Sequence, residues 1–127
     1  MSTCITQGVR IAARPFYLSE ESEPETEKFL FAYEIIITNE GDSPVQLVDR
    51  HWIIKDAHNN IEEVEGDGVV GQTPILEPGA SFSYQSYCPL RTNYGFMRGS
   101  YGMIRMDGER FEAAIAPFVL MPQWMLN

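Results

Sequence analysis

The stretch FLFAYEIIITN, residues 29–39, decides the fold class of this 127-residue chain. Apolar side chains recur there at every second position, as Phe29, Phe31, Tyr33, Ile35 and Ile37. A period of two places successive side chains on opposite faces of a β-strand, and aromatic and β-branched residues suit such a pleated surface. The stretch therefore predicts a long strand with one face in a hydrophobic core.

The segment before this strand shows the same alternation. Val9, Ile11 and Ala13 recur at every second position and predict a strand over residues 8–18. The intervening residues, SEESEPETE at 19–27, are acidic and contain a proline. Because this composition is typical of solvated chain, we predict a loop there.

The run after the strand, residues 45–57, changes phase within its length. Val45 and Leu47 share one phase of the alternation, whereas Trp52 and Ile54 share the other. A slip of one residue moves every following side chain to the opposite face of the sheet. The economical explanation is a β-bulge near residues 48–50.

The remaining segments also predict strands. Short strands are expected over 61–65 and 81–87, and the segments 96–106 and 110–120 form the clearest hairpin. Asp107-Gly108 joins that hairpin and favours a type I′ turn, whose positive φ angles match the strand twist. Ala116-Pro117 interrupts the last run, so that strand is predicted to lie at a sheet edge or to carry a bulge.

Together these segments predict a single all-β domain over residues 1–127. About seven strands joined by short turns, with neither a helical period nor an internal repeat, are typical of an antiparallel β-sandwich. A closed β-barrel is the alternative architecture.

Charge excludes several classes of partner. Lys and Arg number 9 against 18 Asp and Glu, which gives a formal net charge of −9 at pH 7. Nucleic-acid binding normally needs a basic footprint, and an acidic surface is repelled by anionic lipid. The longest aliphatic run, residues 35–37, is far too short to cross a bilayer. We therefore expect neither a nucleic acid nor a membrane as partner.

The N-terminus and the cysteines indicate the cellular compartment of the protein. Met1–Gly8 has neither the basic nor the apolar region of a signal peptide. Cys4 and Cys88 lie far apart in no metal-binding spacing, which favours two free thiols in a reducing cytoplasm. The apolar end, Met121–Asn127, is expected either to be disordered or to pack on the sandwich or on a neighbouring subunit.

One glycine motif raises the question of a ligand. Gly66, Gly68 and Gly71 satisfy G-x-G-x-x-G, which cradles pyrophosphate at a helix N-terminus in dinucleotide-binding folds. Pro74 and Pro78 follow closely, so the segment cannot supply a long helix. The motif is therefore predicted to be a structural turn, with an anion-binding nest of loop amides as the alternative.

The predicted bulge carries the candidate partner-binding residues, Arg50, His51 and Trp52, because bulges re-aim side chains. The alternative places Trp52 in the core, with Arg50 and His51 at its rim. His51 and His58 are separated by roughly 20 Å along an extended strand, so no metal site is predicted. The sequence contains no motif for a catalytic nucleophile, and we predict no catalytic residue and no cofactor.

Several segments give the chain a family resemblance. They are VQLVDRHWII at 45–54, GDGVVGQTPILEPG at 66–79, and Gly99-Ser100-Tyr101 with Phe111 and Pro117-Phe118. In order and spacing they resemble the bacterial ApaG family over nearly the whole chain. The resemblance implies a fibronectin type III-like, immunoglobulin-like β-sandwich, and it supplies no catalytic residues.

The expected function depends mainly on that resemblance. ApaG proteins are associated by name with cobalt and magnesium resistance, and related domains in eukaryotic F-box proteins and in a DNA-polymerase-interacting protein imply protein interaction. We therefore expect a non-enzymatic binding module with an unidentified protein partner. The alternative is a small-molecule module that holds a nucleotide or pyrophosphate on Gly66–Gly71, and a role in divalent-cation handling is a third hypothesis.

Overall fold

Two antiparallel β-sheets form a sandwich in the computed structural model, which describes residues 1–125 of the chain. The strands are β1 (Ser2–Thr6), β2 (Val9–Tyr17), β3 (Phe29–Asn39), β4 (Val45–Asp56), β5 (Ile61–Asp67), β6 (Ile75–Leu76), β7 (Ser81–Leu90), β8 (Gly95–Arg105) and β9 (Arg110–Leu120). The first sheet has the order β1-β2-β3-β7, and the second has the order β5-β4-β8-β9, with β6 also paired to β4. The predicted antiparallel sandwich is confirmed.

Inward-facing side chains of both sheets form one core. On β3, Phe31, Ile35 and Ile37 are fully buried, as their alternation predicts. Trp52 of the second sheet packs against Tyr33 of the first, with ring centroids 5.3 Å apart and planes tilted by 63°. Because edge-to-face aromatic pairs add to the free energy of burial, this contact helps to hold the two sheets together.

Five of the seven predicted strands have the expected boundaries, β5 and β7 extend two and three residues beyond their predicted ends, and two further strands are present. β2, β3, β4, β8 and β9 each begin and end within one residue of the predicted limits. β1 and β6 raise the number of strands from the expected seven or so to nine. β1 is a largely polar five-residue strand and β6 has two residues, so neither shows a period that identifies it.

Both predicted irregularities are confirmed. In the β4–β8 ladder the register shifts between Leu47 and Asp49, which makes Val48 the bulged residue. The register shifts again in the β8–β9 ladder, opposite the segment that contains Pro117. β9 is also an edge strand. Proline has no N–H to donate, and an edge strand tolerates it because some of its N–H groups need no partner strand.

The turn between β8 and β9 differs from the prediction. A type I′ turn needs positive φ at two residues, but of the Asp107-Gly108 pair only Gly108 has one, at 87°. The Arg105 N–H donates to the Glu109 carbonyl at 2.9 Å, which leaves a three-residue loop over 106–108. The Asp107 carboxylate accepts the Glu109 N–H at 2.9 Å, so this side chain and one left-handed glycine close the loop. The type I′ prediction is therefore wrong.

The two sheets are joined by hydrogen bonds along one long side of the sandwich and are separated by a cleft on the other. On one side β1 contacts β9: the Ser2 hydroxyl donates to the Ala116 carbonyl at 3.0 Å, and the Ala114 N–H donates to the Thr6 hydroxyl at 3.2 Å. We call these contacts the β1–β9 seam. The edge strands of the other side are β7 and β5, and a cleft of about 1020 Å³ lies between their ends.

Helical structure is limited to short turns in the described chain. The acidic loop contains two 3₁₀ turns, Ser19–Glu21 and Pro24–Thr26, and a third turn covers Gln123–Met125. Among residues 1–125, no helix is both long and apolar enough to cross a membrane.

The prediction for the C-terminal end falls partly on Leu126 and Asn127, which lie outside the described residues. Before them, Pro122 is buried against the sandwich, whereas the Trp124 side chain is 66% exposed. The choice between a disordered and a packed end therefore stays a prediction.

The two free thiols have different environments, which predicts different reactivity. Cys88 on β7 is buried, and burial raises the pKa of its thiol to about 12, whereas Cys4 on β1 is partly exposed. Because the thiolate is the reactive form, we expect Ellman's reagent at mildly alkaline pH to modify only Cys4 of the native protein. Cys4→Ser should abolish this reaction, and Cys88→Ser should leave it intact. Modification of both thiols before unfolding would contradict this placement of Cys88.

Candidate functional site

The outer face of the second sheet brings together polar side chains from four strands. Trp52 points into the core, so its neighbour His51 points outward. His51 is paired with Glu65 on β5 and with Ser100 on β8, and Glu63 lies two residues before Glu65 on the same face. We call this group the His51 face; its members are Asp49, His51, Glu63, Glu65, Ser100 and Glu112.

Two carboxylates flank the imidazole of His51. Its Nε2 lies 3.7 Å from Oε1 of Glu63 and 3.7 Å from Oε1 of Glu65. The same nitrogen is shielded from solvent and makes no hydrogen bond within residues 1–125. Both glutamate side chains are more than half exposed, at 62% and 74%, so their charge is open to a cationic group of a partner.

An ion-pair cluster forms the other side of this face. The Arg110 Nη2 lies 2.8 Å from Asp49 and 3.0 Å from Glu112, and hydrogen bonds to both carboxylates raise the pKa of its guanidinium. The cluster crosses β8 over Gly102, where a Cβ would overlap the Asp49 carboxylate. Glycine at position 102 is therefore what allows these side chains to meet across the sheet.

A row of exposed apolar side chains borders the His51 face. Lys55 pairs with Ile61 on one side and with Phe96 on the other, and Phe96 pairs in turn with Val119. Ile61 is 64% exposed, and Phe96 and Val119 are each 41% exposed. We call Ile61, Phe96 and Val119 the apolar row. Lys55 lies between Ile61 and Phe96, so Phe96 and Val119 are the directly adjacent pair of the row. Clustered exposed hydrophobic side chains mark interaction sites more often than scattered ones do.

The three residues predicted at the bulge occupy three different environments. Trp52 is 3% exposed and belongs to the core. The Arg50 Nη1 donates to the carbonyls of Asp67 and Gly68, both at 2.9 Å, and so holds the end of β5. Of the three, only His51 lies on the outer face with its side chain directed at other candidate residues.

The glycine motif forms the end of β5 and a tight turn. Val69 and Gln72 exchange two backbone hydrogen bonds of 2.9 Å around Val70 and Gly71, whose φ angles are 44° and 78°. Two positive φ angles at the centre of a two-residue loop define a type I′ turn. Gly68 precedes the turn with a φ of 60°, and the two-residue strand β6, not a helix, follows it.

Three amides of this segment, those of Gly68, Val69 and Gln72, already have backbone partners. Val69 and Gln72 donate to each other, and the Gly68 N–H donates to the carbonyl of Val48, the bulged residue, at 2.9 Å. The adjacent hollow of about 410 Å³ is lined mostly by charged side chains, in which carboxylates outnumber cations: Asp49, Glu65, Asp67 and Glu112 against Arg50 and Arg110. This environment repels a phosphate.

Sequence reasoning missed most of this surface. Glu63 and Glu65 alternate within a predicted polar strand, which indicates a common face, but only the β4–β5 register brings them to His51. The members of the apolar row come from three strands that are distant in sequence. No local signal identifies them, because the sequence does not show which strand ends lie side by side in the sheet.

The fold and this surface define a class: a small antiparallel β-sandwich whose candidate site is an exposed sheet face. The family model described as the ApaG domain matches residues 19–105. A Protein ApaG of Anaeromyxobacter dehalogenans strain 2CP-C is 52% identical over 127 residues, which covers 100% of both chains. The chain belongs to the ApaG family.

Solved structures agree with this assignment. A crystal structure of a Bordetella pertussis protein described as ApaA is 44% identical, covers 91% of this chain and 94% of its own, and superposes with a TM-score of 0.89. The X-ray structure of the structural-genomics target SoR45 is 40% identical, covers 98% and 94%, and gives a TM-score of 0.90. None of these descriptions points to a catalytic activity.

Proposed function

We propose that the chain is a non-enzymatic binding module that captures a protein segment on the outer face of its second sheet. The observation that supports this proposal is that the His51 face and the apolar row share one sheet face and meet on β5, where Glu63 and Ile61 are two residues apart. Protein interfaces combine apolar anchor residues with a charged or polar rim. A partner segment that carries Lys or Arg next to apolar side chains matches both parts of this surface.

Catalysis is not part of the proposal. A serine nucleophile needs a hydrogen bond to its base. Ser100 lies opposite His51 in the sheet, but its hydroxyl bonds to Glu112 at 3.3 Å. The most suggestive pair of side chains on this face is therefore not arranged as a nucleophile and base.

Charge reversal on the His51 face tests the proposal. Glu63→Lys combined with Glu65→Lys is expected to reduce retention of partner proteins from an extract of the source cells by about tenfold, because two attractive charges become repulsive. The matched control, Glu20→Lys with Glu25→Lys, changes the net charge equally on exposed positions of the β2–β3 loop. This control should retain partners as the native chain does.

Two results would contradict the proposal. One is the absence of any protein retained above background by the native chain. The other is equal retention by the His51-face variant and its control. Equal melting temperatures of the two variants exclude unfolding as the cause of a difference.

The nucleotide alternative remains a prediction with less support. The excess of carboxylates beside Gly66–Gly71 disfavours a phosphate there, and the amides of Gly68 and Val69 are already hydrogen-bonded within the protein. Titration with ATP or NAD while amide NMR shifts are followed tests it directly. Saturable shifts confined to Gly66, Gly68 and Gly71 would favour it over the protein-binding proposal.

We propose that this chain does not bind a divalent cation directly and that any role in cation handling depends on a partner protein. No group of three or more His, Cys, Asp or Glu residues within the described part of the chain could hold a metal ion. We propose that the association of ApaG proteins with cobalt and magnesium reflects a bound protein. We also propose that the module acts in the cytoplasm, and the free thiols of Cys4 and Cys88 support this location. Calorimetry with Co²⁺ and Mg²⁺ should then detect no binding heat.

A further inference from the structure

Strand β7 is an unprotected edge of the first sheet. It pairs with β3 on one side, and no described strand pairs with its other side. Its ten residues, SFSYQSYCPL, include no charged side chain. Natural proteins usually protect long edge strands with charges, prolines or bulges, because unpaired backbone groups accept further strands.

The other edge strands are protected in these ways. β5 carries four acidic side chains within seven residues: Glu62, Glu63, Glu65 and Asp67. β9 carries Pro117 and its bulge, and it contacts β1 along the seam. β7 has a proline only at its ninth position, Pro89. The absence of such protection therefore sets β7 apart from β5 and β9.

The ladder with β3 determines which backbone groups of β7 are free. The Asn39 N–H donates to the Ala80 carbonyl at 3.0 Å, which fixes the alternation of bonded and non-bonded positions along both strands. By that alternation, one set of β7 residues directs its N–H and C=O away from β3. They are Ser81, Ser83, Gln85 and Tyr87, and their side chains are all exposed.

An open, acidic cleft lies at one end of this edge. The cleft of about 1020 Å³ lies at the Pro89 end of β7, across from the start of β5. Its charged lining has more carboxylates than cations, with Glu21, Glu27, Asp56 and Glu62 against Lys28 and Arg91. Glu62 is paired with Ile54, whose side chain packs against the core. Paired residues point to the same face of a sheet, so Glu62 faces the first sheet.

We propose that β7 accepts an extended segment of a basic partner protein as a fifth strand of the first sheet. Main-chain hydrogen bonds to the four free positions supply the affinity, and Lys or Arg side chains at the end of the segment nearest Pro89 face the acidic cleft. A second copy of this chain is disfavoured as the occupant, because both copies carry a net charge of −9. This surface belongs to the first sheet, so the proposal does not depend on the His51 face.

A designed peptide tests the proposal on the full chain. The probe is a capped peptide of alternating Lys and Thr, and a peptide of alternating Glu and Thr is its charge control. At low salt we expect the Lys peptide to bind at least about tenfold more tightly. Its binding should slow amide hydrogen exchange at Ser83, Gln85 and Tyr87, whose N–H groups are free in the unbound chain.

One position of β7 provides a matched pair of variants. Gln85→Pro removes a free N–H while leaving the ladder with β3 intact, so binding of the Lys peptide should fall by at least about tenfold. Gln85→Ala keeps that N–H and should bind as the native chain does. If Gln85→Pro does not fold, the exchange pattern on the native chain still decides the question.

Three outcomes would overturn the proposal. The first is unchanged exchange at Ser83, Gln85 and Tyr87 at millimolar Lys peptide. The second is equal binding by folded Gln85→Pro and Gln85→Ala. The third is a concentration-dependent dimer that protects the same amides without peptide, which would identify a second copy of the chain as the occupant.

Discussion

Gly68→Ala is expected to lower the free energy of unfolding by about 3 kcal/mol, and Gly71→Ala by only about 1 kcal/mol. Both glycines belong to the same motif and have positive φ angles, 60° and 78°. The left-handed conformation therefore penalises a side chain similarly at both positions. A Cβ at 68, however, would overlap the Gln72 carbonyl oxygen, whereas a Cβ at 71 meets nothing within 4 Å.

Urea denaturation measures this difference if the slope of the unfolding free energy against urea is unchanged. Gly71→Ala serves as the control, because it carries only the cost of placing a side chain at positive φ. Gly68→Ala adds the overlap with the Gln72 carbonyl to that cost. Equal destabilisation by both substitutions would show that the contact with Gln72 is relieved at little cost. A Gly68→Ala chain that keeps its stability but loses nucleotide-induced shifts would identify Gly68 as a ligand-binding residue.

Trp52→Ala should have the largest effect of any single substitution proposed here, about 3–5 kcal/mol of destabilisation. The side chain is 3% exposed and packs in edge-to-face contacts against Tyr33, Tyr101 and Phe118, with ring centroids 5.3, 6.2 and 6.0 Å away. Its removal leaves a cavity between the two sheets that rigid strands fill only in part. Thermal or urea unfolding measures the loss.

The adjacent residue provides the control. His51→Ala removes an outward-facing side chain from the same strand and should change the stability by about 0.5 kcal/mol or less. The two substitutions should separate stability from binding: Trp52→Ala weakens the fold, and His51→Ala weakens partner retention. A stable Trp52→Ala chain with lost retention would instead favour the prediction that Trp52 itself contacts the partner.

Much of the fold could be predicted because each strand carries its own periodicity. The alternation over 29–39 identifies β3 without knowledge of its neighbours. The phase change between Leu47 and Trp52 reveals the bulge at Val48, because a slip in register has a visible consequence for every later side chain. Pro117 marks an edge strand for a similarly local reason, the missing N–H.

The candidate site could not be predicted in this way, because it arises from pairing between distant segments. Ile61, Phe96 and Val119 form a row only through the registers of β4 with β5 and β8, and of β8 with β9. Arg50 illustrates the same limit. Its polarity predicts a surface role, but two backbone carbonyls at the end of β5 hold its guanidinium.

The β1–β9 seam limits how many molecules can join through sheet extension. A filament needs two complementary open edges on each molecule, one to donate a strand and one to receive it. Here the hydroxyls of Ser2 and Thr6 occupy backbone groups of β9, and the acidic side chains of β5 repel an incoming acidic chain. Sheet extension on this chain is therefore confined to β7, so each chain takes up one added strand.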